Sequence, residues 1–166
     1  MKKIIFLLTF SGSAFLFSCS DVTKNDTTTV STMDSTSFDL SRERNWVEAD
    51  NAKFMERIKK ADSTGLVDHY HSDALVMMAN ADPVMRKDIG SAWGGFFRMG
   101  IKDLKVTTNE LVGNNDLMVE TGSFEMFGDK NMLMDKGNYV VVWKKENGSW
   151  KIYRDIPISN MSITKK

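Results

Sequence analysis

Around Lys102 the spacing of apolar residues changes. Before it they recur at helical intervals, and after it they alternate. Four segments carry the alternation: "DLKVTTNELVG" (103–113), "LMVETGSFEMFG" (117–128), "NMLMDKGNYVVVWKK" (131–145) and "SWKIYRDIPIS" (149–159). Gly113-Asn114-Asn115-Asp116, Gly128-Asp129-Lys130-Asn131 and Asn147-Gly148 separate them. Asn-Gly between alternating runs is the strongest short hairpin signal a sequence offers. The second half of the chain therefore predicts an antiparallel meander.

The first half predicts helices to cover it. Ser41 is a suitable N-cap for a helix running to about Lys60, with Val47, Phe54, Ile58 and Ala61 on one stripe. Asp50 and Asn51 fall in that stripe. A carboxylate and an amide facing an apolar interior are costly unless paired or lining a wet pocket; a slight rotation of the helix would put both in solvent. Residues 61–74 read as a short helix and a turn into a buried strand, "ALVMMA" (74–79), and Pro83 interrupts the loop that follows. Ile89, Trp93, Phe96 and Phe97 then return to helical spacing, with an end near Gly100. Gly94 and Gly95 weaken that helix by up to ~1 kcal/mol each and suit close packing better than a binding loop. Three helices followed by a meander make an α+β domain spanning residues 41–166.

What precedes the domain is of another kind. Lys2 and Lys3, the fourteen-residue apolar run Ile4–Phe17 and the small Ser18 make residues 1–18 a secretory leader. The run is shorter than the ~20 residues a spanning helix needs. Cys19 is the only cysteine, so it forms no internal disulfide. Residues 19–40 form a polar tether: fifteen of the twenty-one residues 20–40 are Ser, Thr, Asp or Asn, too few apolar groups to order themselves. As a flexible coil it spans about 25 Å. The 22 basic and 22 acidic residues balance, and losing Lys2 and Lys3 leaves the remainder two charges negative. No basic field is available to recruit nucleic acid.

Two resemblances extend this reading. Leu16-Phe17-Ser18-Cys19 resembles a bacterial lipobox, which implies a Cys19 carrying lipid chains as the new N-terminus and an envelope protein anchored to a membrane. Ser20, in place of an aspartate, points to the outer membrane. The segments "NAKF" (51–54), "YHSDALVMM" (70–78), "ADPVMRKDIGSAW" (81–93) and "GNYVVVWKKENGSWKIYRDI" (137–156) resemble the SnoaL-like DUF4440 group of the nuclear transport factor 2 superfamily. That resemblance implies an NTF2-like cone: a strongly curved antiparallel sheet around the first helix, a ligand pocket at its open end, and homodimers formed through the sheets. The chain departs from the group at "VMRKDI" (84–89), where a glycine is usual, and at Pro157-Ile158-Ser159-Asn160, which replaces the usual Trp-Asn.

Ketosteroid isomerase, in the same superfamily, uses an Asp base and an oxyanion hole of a Tyr and a neutral Asp. The resemblance puts Phe54 at the helix tyrosine and Met78 at the base, and neither side chain can do that work. Asp155 is a second candidate acid. Strict alternation sets Lys151, Tyr153 and Asp155 on one face and Trp150 and Ile152 on the other. Only a bulge would bring Asp155 to the apolar side; without one it is an ion-pair partner on the outer face. His69 and His71 flank Tyr70 at a helix end, where that spacing diverges, and no third ligand accompanies them. Among the twelve methionines, Met77, Met78, Met132 and Met134 are grouped. Thioethers select Cu(I), but methionine also lines adaptable apolar cavities, and that is the expectation here. No motif calls for a cofactor.

The expected pocket is lined by Asp50, Asn51, Phe54, Tyr70, Trp93, Phe97, Met118, Trp143 and Asp155. The favoured function is binding of a small apolar or amphipathic molecule. The alternatives are a cyclase or isomerase working through Asp50 or Asp155, and a dimerisation module.

Overall fold

A computed structural model of the chain describes residues 38–161, so the leader, Cys19 and most of the polar tether lie outside it. Helix α1 (Leu40–Lys59) starts two residues earlier than expected because Asp39, not Ser41, is the cap. The Asp39 carboxylate accepts from the amides of Ser41 and Arg42. Val47, Phe54 and Ile58 are buried as the stripe requires. Ala61 is not; the helix has ended and Ala61 is an exposed residue at positive φ. Short α2 (Ser63–Leu66) and one 3-10 turn lead into β1 (Tyr70–Val76), and β2 (Val84–Met85) pairs with it. The buried strand thus starts four residues earlier than expected.

Helix α3 (Arg86–Arg98) buries Ile89 and Trp93. Gly100, at φ +102, closes it: its amide bonds the Phe97 carbonyl and that of Ile101 bonds Phe96, a Schellman end that favours glycine. The meander follows as β3 (Asp103–Gly113), β4 (Leu117–Phe127), β5 (Leu133–Glu146) and β6 (Ser149–Ser159). One curved, unclosed sheet results, in the order β2-β1-β6-β5-β4-β3, with β1 and β6 parallel and the other pairs antiparallel.

The inner faces of β3–β6 share one core with α1 and α3. Buried Glu43 ties the start of α1 to the last hairpin, accepting from Trp150 Nε1 at 2.8 Å. Burial opposes its charge, but the bonds from Arg42 and Trp150 outweigh burial and hold its pKa below the usual range.

β6 does not alternate along its whole length. Trp143 pairs with Ile152 and Val142 with Arg154, so Tyr153 is an extra residue with no partner on β5. It has none on β1 either, where Tyr70 pairs with Ile152 and Leu75 with Arg154. This bulge reverses the parity of the strand. Trp150 and Ile152 face inward before it, and Asp155, Pro157 and Ser159 take the inward side after it.

Candidate functional site

Between α1, α3 and the sheet lies a cavity of about 260 Å³. Its wall is largely apolar, with Phe54, Ile89, Trp93, Phe96, Phe124 and Ile152 prominent. Met78 and Met126 line it too, so Phe54 and Met78, which the resemblance puts at the isomerase tyrosine and base positions, both border the space. The two segments that depart from the pattern of the resembled group also meet it, through Val84, Ile89, Pro157 and Ser159. Its polar lining side chains are Asn51, Asp135, Tyr139, Asp155 and Ser159, with no lysine or arginine among them.

Of the expected pocket residues, Asn51, Phe54, Trp93 and Asp155 line the cavity. Asp155 does so because of the Tyr153 bulge. Tyr70 stands one layer behind, fully buried, and donates its hydroxyl to Asp155 Oδ2 at 2.7 Å. Phe97 is half-buried beside Trp93, outside the lining. Met118 and Trp143 are completely buried core residues. Asp50 is not in the cavity. One residue along a helix is a turn of about 100°, and where Asn51 reaches the sheet, Asp50 turns to His69, whose Nδ1 lies 2.7 Å from its Oδ2. The pair borders a separate, polar surface groove. His71 goes elsewhere, with Nδ1 accepting from the Asp73 amide. Among the described residues no three His, Cys, Asp or Glu side chains converge as a metal site would need.

Glu120 is the residue that the expected lining missed. It is fully buried on β4 and accepts from Asn51 Nδ2 (2.8 Å), Thr108 Oγ1 (2.7 Å), Tyr139 Oη (2.7 Å) and Trp143 Nε1 (3.0 Å). Four donors on one carboxylate meet the rule that a buried charged group must be hydrogen-bonded. A signal for it exists in the sequence: Met118, Glu120, Gly122 and Phe124 share one parity of an alternating strand, and the glutamate is the lone acid in an apolar row.

Asp155 contrasts with it, because Tyr70 is its only side-chain donor among the described residues. Burial pushes its pKa up to about 6; the Tyr70 bond pulls the other way and repulsion from Glu120 adds to the rise. Tyr70 and Tyr139 are themselves raised above the ordinary phenol range, first by burial and then by the carboxylates they face, so both stay protonated donors. Chemically, the cavity holds a carboxylate that changes charge near neutral pH inside an apolar wall.

No family model matches the chain, and no curated protein matches it. Solved structures do match. An NTF2-like protein with a cystatin-like fold from Novosphingobium aromaticivorans superposes at TM-score 0.65 and 10% identity, over 75% of this chain and 86% of that one. A domain of unknown function with a cystatin-like fold from Nostoc punctiforme gives 0.64 and 12%, over 74% and 80%. A ketosteroid isomerase-like protein from Erwinia carotovora atroseptica gives 0.58 and 15%, over 69% and 94%. These likenesses define the class: the chain has the NTF2-like fold. At such identities they show the fold alone.

Proposed function

We propose that this is a cell-envelope lipoprotein of the SnoaL-like DUF4440 group, held by lipid on Cys19, whose cavity binds a small, largely apolar molecule. The observation that carries the reading is the cavity itself: about 260 Å³ of apolar wall with a few convergent polar groups. Ligand sites have this composition, and 260 Å³ lies just below the lower end of their ~300–1,000 Å³ range. A module serving assembly alone has no use for an unfilled interior beside a half-buried carboxylate. Filling the space tests the idea. Ala92 lines the cavity from α3, and Ala92→Phe is expected to abolish uptake of small apolar probes while leaving the circular dichroism spectrum unchanged. Native mass spectrometry of the protein from its own envelope should find a co-purifying molecule that the variant lacks. Equal uptake by both proteins would sink the proposal.

A second reading has its own support. A carboxylate with a pKa of about 6 is poised for general acid–base work, and a superposing structure is described as ketosteroid isomerase-like. Under that reading Asp155 moves a proton on the bound molecule. Turnover of enolisable ketones that collapses by orders of magnitude in Asp155→Asn would favour catalysis over binding.

A further inference from the structure

The side-chain donors around the cavity are engaged within the protein, most of them by carboxylates, while the Trp93 indole faces the Tyr70 hydroxyl. Tyr139 gives its one hydroxyl proton to Glu120, as does Thr108. Asn51 directs its amide nitrogen to Glu120 and, at 3.4 Å, to Thr108 Oγ1. Tyr70 donates to Asp155 Oδ2, and Ser159 at the exposed end of the lining donates to Asp135 Oδ1 at 2.6 Å. What remains for a guest is acceptors: the amide oxygen of Asn51, the lone pairs of Tyr139 and the Oδ1 of Asp155. The last has no protein donor among the described residues. With no cationic side chain in the lining, the cavity has no uncommitted side-chain donor and carries two carboxylates, Asp155 against the aromatic wall and Asp135 at the exposed end beside Ser159. A ketone or a carboxylate placed there would find no side-chain partner, and leaving a buried polar group unpaired is costly. An ammonium group brings up to three donors and the opposite charge. The aromatic wall of Phe54, Trp93 and Phe96 suits a hydrocarbon body and favours a cation over its faces.

We propose that the cavity takes a small hydrophobic amine, its ammonium held on Asp155 Oδ1 and its hydrocarbon against the aromatic wall. The proposal rests on the ligand-binding reading above and names the chemical class of that ligand.

The test is calorimetry on the purified full chain with three probes of one shape: phenethylamine, phenethyl alcohol and phenylacetate. The amine is expected to bind at least about tenfold more tightly than the alcohol, with phenylacetate weakest. Because a cation needs the ionised form of Asp155, amine affinity should fall as pH drops below about 6, approaching tenfold per unit, while alcohol affinity stays level. Asp155→Asn should bring amine and alcohol together. The probe series and the pH profile are read on the unaltered chain, so they decide the matter even if the variant misfolds. An alcohol or phenylacetate that binds as well as the amine overturns this inference and leaves the binding function standing. No binding by any of the three, nor by a wider panel of neutral apolar molecules, overturns both.

Discussion

At the scale of single residues, Glu120 and Asp155 are provided for differently, and Asp155 is the costly one. Its folded pKa of about 6 stands above an unfolded value of ~3.9. Between those values the native state binds more protons than the unfolded chain, so stability falls as pH rises from about 4 to about 6 and then levels. A shift of about two units corresponds to roughly 2–3 kcal/mol. Asp155→Asn keeps an oxygen for the Tyr70 hydroxyl and removes the charge. It is expected to be more stable than the parent by about 1–3 kcal/mol at pH 7.5, with the gap closing near pH 4. Urea unfolding at both pH values measures this; a gap of equal size at pH 4 would show that desolvation of the charge is not the cause. A native residue that lowers stability at neutral pH is what a functional site, rather than a structural one, tolerates.

At the scale of elements, two cross-strand pairs shape the inner face of the sheet. Gly122 stands opposite Tyr139 and Gly137 opposite Phe124, each glycine leaving room for the ring on the neighbouring strand. A Cβ on Gly122 would meet the Thr107 carbonyl oxygen and the Tyr139 hydroxyl well inside van der Waals contact. Gly122→Ala is therefore expected to cost about 1–3 kcal/mol and to push Tyr139 off Glu120. Thermal unfolding together with the tyrosine ultraviolet difference spectrum would detect both effects, and an unchanged melting temperature would show that the strands simply part. The limits of β3 and β6 were readable as 103–113 and 149–159 because alternation and turn residues are local signals. β5 starts at Leu133 and not at 131, with Met134 an unpaired extra residue between Leu133 and Asp135. Such bulges are set by pairing with strands distant in sequence, and so alternation alone could state the condition for Asp155 to face inward but not whether it was met. Asp50 was misplaced for a related reason. Apolar spacing gives the direction of a helix face to within a residue or so, and neighbours at its edge part company.

At the scale of the whole molecule, the proposed lipid anchor and the domain can be tested separately. On the proposal of lipid at Cys19, two or more chains on one cysteine suffice for stable anchoring. Cys19→Ala is expected to leave unprocessed precursor and to move the protein from the detergent to the aqueous phase in a partitioning assay. Normal maturation with retained detergent partitioning would refute lipidation at Cys19. Among the described residues no helix is long and apolar enough to cross a membrane. The electrical character of the domain's interior, by contrast, depends on where one surplus residue sits in β6. With Tyr153 as that residue, Asp155 follows Ile152 on the inner face. Were the surplus taken up two positions later, strict alternation would carry Arg154 inward instead, and the same string of amino acids would enclose a guanidinium where it now encloses an acid. The sign of the charge offered to a guest is thus written in the frame of the strand as much as in its letters, and moving the bulge two positions along β6 would invert the preference of the cavity with no residue added, lost or replaced.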